Sequence, residues 1–122
     1  MKTLLMMALV AMGQTAIADA KYVNEPLVMI ATVKVKAGFE EQFKAAAQEI
    51  LAPTRAEAGN IQYDFHQSPA DPTEFATFEI WRSQADIDSH MSSAHMQRFF
   101  SQVGNMFEAG YPILKTYQKF EE

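Results

Sequence analysis

EAGNIQYDFHQSPADPTEFATFEIWRSQADIDSH, residues 57–90, decides the fold. It reads as helix end, strand, turn, strand, helix. In Asn60 to Gln67, Ile61, Tyr63 and Phe65 alternate onto one face of a strand, and Asp64 and His66 onto the other. Ser68 to Glu74 (SPADPTE) supplies the Ser, Pro and Asp of a turn. Phe75 to Arg82 alternates again, with Phe75, Thr77, Glu79 and Trp81 on one face and Ala76, Phe78 and Ile80 on the other. Two such strands joined by a short turn make a hairpin. Ser83 caps the helix that follows, with Asp86 three residues on as an approximate capping box.

The flanks extend this pattern. Leu27 to Lys36 is a β-branched run, apolar on both faces at its start, as in a strand covered on both sides. Phe39 to Arg55 has helical period, with Phe39, Phe43, Ala46, Ala47, Ile50 and Thr54 on the core stripe; Pro53 falls near its end. Gly59 is expected to stop that helix in a left-handed conformation. Beyond the hairpin, Ser92-Ser93 interrupts the second helical region. Its continuation carries Met96, Phe99, Phe100, Val103 and Phe107 on one stripe, and Gly110 ends it. Tyr111 to Phe120 forms a last strand, starting beside Pro112 as an edge strand can. The order β-α-β-β-α-β is the ferredoxin-like arrangement of the α+β class. Helices on one side leave the other sheet face carrying large side chains, so a second copy is expected to cover it.

Composition narrows the function. Met1, Lys2, the apolar run Leu4 to Met12 and the closing Ala18-Asp19-Ala20 have the layout of a secretory signal, residues 1–20. Its apolar part is shorter than the roughly 20 residues of a membrane span. The reading places residues 21–122 as one exported domain, periplasmic, without stable membrane insertion. Net charge is −5, and loss of Lys2 with Asp19 leaves that balance unchanged. No Lys/Arg cluster offers a nucleic-acid surface. With no cysteine, disulfides, thiolate ligands and thiol nucleophiles are excluded. There is no Gly-rich phosphate loop and no GxSxG elbow. His90 and His95 stand five apart across the expected helix break, and no HxH, HxxxH or HxxEH spacing occurs, so the sequence predicts no metal site.

Glu79-x-Trp81, a helix with His90 nine residues after Trp81, the small-residue break leading to Ser93-Ala94-His95, and the corner Glu57-Ala58-Gly59-Asn60 together resemble the antibiotic-biosynthesis-monooxygenase family. The resemblance covers about Leu27 to Lys119. It implies a dimer whose two sheets form an α+β barrel, with a pocket in each subunit between sheet and helices. It also implies oxidation of phenolic, anthrone-like or quinol substrates by O₂ without metal, flavin or other cofactor. Some relatives place a tyrosine in the helix after E-x-W. Ile87 stands there, which moves the expectation from anthrone-type chemistry toward quinols.

Such a reaction needs an electron-rich aromatic, a group that takes its proton, and a dry, apolar surround. His90 is the candidate base, its ordinary pKa lying near neutrality; the structural alternative is a buried helix residue bonded to a neighbouring strand. Glu79, on the same strand face as Trp81, is the candidate partner that orients His90, or else part of a structural ion pair. Trp81 is the candidate stacking surface for a substrate ring, or else a core aromatic with its indole N–H satisfied. Tyr63 is the candidate pocket wall, and His66, near the turn, is expected to be exposed. Haem-degrading enzymes of this fold need an Asn, a Trp and a His where this chain has Ala31, His90 and Phe100. Haem degradation therefore lacks its pattern. The competing reading is a non-catalytic dimeric domain that binds a small molecule, with haem ligation by His90 or His95 left open.

Overall fold

The computed structural model describes residues 25–120; the expected export signal, residues 1–20, lies outside the described residues. The elements are β1 (Leu27–Lys34), α1 (Glu40–Arg55), β2 (Asn60–Gln67), β3 (Glu74–Trp81), α2 (Gln84–Met91), α3 (Ala94–Val103), one 3₁₀ turn (Gly104–Met106) and β4 (Ile113–Gln118). The strands form one sheet in the order β2-β3-β1-β4, each pair antiparallel. This is the expected ferredoxin-like βαββαβ fold.

The helices cover one face of β2, β3 and β1. Facing them are Leu27, Met29 and Val33 of β1, Phe75, Thr77, Glu79 and Trp81 of β3, and Tyr63 of β2, all buried. From the helices come Phe43, Ala46, Ala47 and Ile50 of α1, Ile87 of α2, and Met96, Phe99 and Val103 of α3. The 3.6-residue period of α1 puts Thr54 on the same buried stripe, and Glu40 and Glu41 in its first turn with Arg55 in its last suit the helix dipole. Pro53 sits inside the last turn without ending the helix before Arg55.

Four local expectations change. Asn60 pairs with Trp81 and Gln62 with Ile80, so Ile61 is an extra residue, a β-bulge. It turns outward, 58% exposed, instead of joining Tyr63 and Phe65 on the inner face. Gly59 is not left-handed; among the described residues the positive-φ glycines are Gly38 and Gly110. Gly59 is required because a Cβ there would run into the Cβ and carboxyl group of Asp86. The helical stripe does not run through to Phe107. After Val103 the chain makes the 3₁₀ turn and becomes extended at Phe107, which bridges Val35 and reaches the core from there. Finally, β4 begins at Ile113 rather than Tyr111, and its side chains stay exposed because no helix covers that edge.

Candidate active site

β3 alternation aims Thr77, Glu79 and Trp81 at the helices. Glu79 is 2% exposed, and both of its oxygens are occupied. The Thr77 hydroxyl donates to Oε2 at 2.6 Å and the Trp81 indole N–H donates to Oε1 at 2.8 Å. Burial pushes the carboxyl pKa up, against the two donated hydrogen bonds and the nearby His90, which favour its charged form.

His90 comes from the last turn of α2 and is 1% exposed. Its ring packs over Trp81, centroids 4.7 Å apart, and meets Tyr63 edge-on at 5.4 Å. Its orienting partner is Glu57, not Glu79: Nδ1 lies 2.8 Å from Glu57 Oε2. His95 Nε2 lies 2.8 Å from the same oxygen. A carboxylate accepts only, so each neutral imidazole must donate. That fixes His90 as the Nδ1–H tautomer and leaves its Nε2 lone pair without a hydrogen bond to any described residue.

The local sequence explains how three distant residues meet. Ser92 and Ser93 end α2 and cap α3; the Ser93 hydroxyl donates to the His90 carbonyl at 2.7 Å and accepts from the Met96 amide at 3.3 Å. This turn brings His95 back beside His90. Glu57 sits in the α1–β2 corner, whose backbone is tied by Glu57 N–H to the Thr54 carbonyl and Asn60 N–H to the Glu57 carbonyl, both at 3.0 Å. The Arg82 amide bonds the Gly59 carbonyl at 2.8 Å, and the side-chain-free Gly59 lets the corner close on Asp86 in the first turn of α2. Asp86 is held in place by Arg82 (2.9 and 3.0 Å) and by the Ser83 hydroxyl (2.6 Å).

His90, Glu79 and Tyr63 all line one cavity, with Met91, Phe99 and Phe100 on the helix side and Leu114 of β4 on the other. Burial, with the charges of Glu79 and Glu57, pushes the Tyr63 phenol far up, so it remains a hydrogen-bond donor and not a base. The cavity volume is about 40 Å³. A dry cavity that takes benzene has roughly 150 Å³. A ring of that size would fit only if lining side chains shifted, and the lining methionines Met91 and Met96 are the side chains best suited to that.

The sequence-predicted residues thus divide. His90, Tyr63 and Glu79 share the cavity. Trp81 does not line it: it lies behind His90, and its indole N–H is committed to Glu79. His66 is exposed, as expected. Glu57 and His95 were missed as partners of His90. Both stood in the quoted motifs, but sequence spacing across a helix break hides that the break itself folds His95 onto the same carboxylate.

The profile of the family described as Antibiotic biosynthesis monooxygenase matches residues 26–102. The chain belongs to this family. It is 33% identical over 81 residues to sll1783, an uncharacterized protein of Synechocystis; the match covers 66% of this chain and spans only 55% of that protein. It is 31% identical over 90 residues to a Bacillus subtilis protein named "Putative monooxygenase YcnE", covering 74% of this chain and 95% of that one. Among solved structures, PA3566 of Pseudomonas aeruginosa superposes with a TM-score of 0.69 at 31% identity, covering 82% of this chain and 97% of that one.

Proposed function

We propose that this member of the family is a cofactor-independent monooxygenase that oxidises a quinol or similar hydroxylated aromatic with O₂. One observation carries the reading: an apolar, aromatic-walled cavity lined by a histidine whose Nδ1 is committed to Glu57 and whose Nε2 has no hydrogen bond to a described residue. His90 Nε2 takes the substrate's hydroxyl proton. The electron-rich anion then reduces O₂, a ring carbon gains one oxygen atom, and the ring C–H is lost. The second oxygen atom leaves as water, receiving the proton held on His90. A hydroxyarene plus O₂ thereby gives a quinone plus H₂O, with atoms and electrons balanced. Glu57 positions His90, Tyr63 donates a hydrogen bond, and the surrounding phenylalanines and methionines exclude water.

The working unit in this reading is a homodimer in the periplasm. Supporting it are Phe78 and Ile80 on the sheet face away from the helices and, across Val28 and Ile30 of β1, Ile113 and Tyr117, 42% and 49% exposed. Residues 1–20 support export, and no helix among the described residues is long and apolar enough to cross a membrane. Incubation under ¹⁸O₂ with a panel of reduced quinols and hydroxynaphthalenes tests the chemistry. One labelled atom per product, formed faster than autoxidation, is expected. Ligand binding without oxygen consumption would instead identify a domain that only holds its aromatic ligand.

A further inference from the structure

We propose that Glu57, His90 and His95 also bind one divalent transition-metal ion, and that the bound ion switches off the pocket side of His90. The first part stands on geometry alone; the second rests on the function proposed above.

Three separate backbone anchors bring the ligand atoms together: the α1–β2 corner, the end of α2 and the start of α3. Glu57 Oε2 lies 2.8 Å from His90 Nδ1 and 2.8 Å from His95 Nε2, and all three atoms fall within 4.8 Å of one another. A tetrahedral ion with bonds of roughly 2.1 Å sets neighbouring ligand atoms about 3.4 Å apart. For an ion to replace the two hydrogen bonds, Glu57 has to withdraw by about half an ångström and the two imidazole nitrogens, which lie within 4.8 Å of each other, have to settle at that spacing. The side chains of Glu57 and His95 are 19% and 14% exposed, against 1% for His90. An ion can thus arrive from the Glu57–His95 side and keep water as its fourth ligand.

Charge favours the exchange. One carboxylate and two neutral imidazoles carry a net negative charge, and no Lys or Arg among the described residues forms an ion pair with Glu57. Two imidazoles and a carboxylate, with no thiolate, select zinc, cobalt or nickel over calcium or magnesium.

Proton bookkeeping gives the consequence. In the metal-free state the single ring proton of His90 sits on Nδ1 and is donated to Glu57. An ion on Nδ1 moves that proton to Nε2, the nitrogen that takes the substrate's proton in the function proposed above. No proton leaves the neutral ring, but Nε2 changes from acceptor to donor and can no longer take a substrate proton.

The test titrates Zn²⁺ calorimetrically, and Co²⁺ by its tetrahedral visible bands, into chelator-stripped purified protein. One ion per chain is expected. Glu57→Gln and His95→Ala should each weaken binding at least about 100-fold, the upper range for residues that only support a metal ligand. His66→Ala, the third histidine and outside the cluster, should leave binding unchanged. Circular dichroism on each variant establishes that it folds. Absence of binding, or equal affinity in folded Glu57→Gln and His95→Ala, would overturn the site. For the switch, saturating Zn²⁺ should abolish oxygen uptake in the parent protein and spare His95→Ala. Inhibition equal in both overturns it. If the chelator-stripped protein consumes no oxygen, the oxygenase reading fails while the binding result stands.

Discussion

Replacing Gly59 by alanine tests the packing that builds the site. The added Cβ would overlap the Cβ and the carboxyl carbon of Asp86. Rotation of the Asp86 side chain cannot relieve this, because its Cβ is fixed to the backbone of α2. The corner or the helix must therefore move. Overpacking of this kind costs about 1–3 kcal/mol. At about 4–8 °C per kcal/mol for a domain of this size, a central value of 2 kcal/mol lowers Tm by roughly 8–16 °C. His90 lies one turn beyond Asp86 on the same helix, so the displacement also pulls His90 away from Glu57. Gly104→Ala is the matched control: Gly104 has φ −55° and a Cβ there meets nothing within 4 Å. Removing that glycine should stabilise by about 0.4–1 kcal/mol through the unfolded chain. Thermal and urea unfolding followed by circular dichroism measure both. A Gly59→Ala protein within about 0.5 kcal/mol of the parent would refute the close-approach argument, since surface changes fall in that range.

Glu79→Gln should remove a loss of stability that the parent suffers as pH rises from acid toward neutral. Burial raises the folded-state pKa of Glu79 above its ordinary 4.5. The folded state therefore holds the proton more tightly, and this group's contribution is greatest below the unfolded value and is lost as pH rises through the folded one. Gln keeps an acceptor for Trp81 and a donor for Thr77 without a charge, so its Tm should exceed the parent's at pH 7 and the gap should close toward pH 4. An unchanged pH profile would contradict the burial argument. Trp81→Phe leaves Glu79 Oε1 without its donor, and an unsatisfied buried acceptor costs about 1–3 kcal/mol; denaturant unfolding reads this, and a loss below 0.5 kcal/mol would oppose it. Tyr63 should be the last tyrosine to ionise when absorbance at 295 nm is followed with rising pH, and Tyr63→Phe should remove that last step. Loss of an earlier step instead would place its phenol in water.

The fold was legible because period did most of the specifying. Phe75, Thr77, Glu79 and Trp81 alternate without interruption, and α1 repeats Phe43, Ala46, Ala47 and Ile50 with helical spacing. Ile61 escaped because alternation counts every residue, whereas a bulge inserts one that has no partner. The role of Gly59 escaped because its reason lies on Asp86, twenty-seven residues away, and not in its own backbone angle. In the site, strand period correctly sent Glu79 and Trp81 to one face but could not say which would reach the cavity. Glu57 lies in a corner between elements, where no period dictates direction. His95 follows a helix break whose turn geometry decides what it meets. The pocket members carried by regular elements were readable; the partners supplied by corners and breaks were not.

The most direct test is oxygen uptake by the chelator-stripped protein against His90→Ala, each corrected for autoxidation of a reduced quinol. A positioned general base contributes about 100- to 10,000-fold, so the variant should lose at least about 100-fold while its circular dichroism spectrum persists. Equal uptake by the two folded proteins would contradict His90 as the group that takes the substrate's proton.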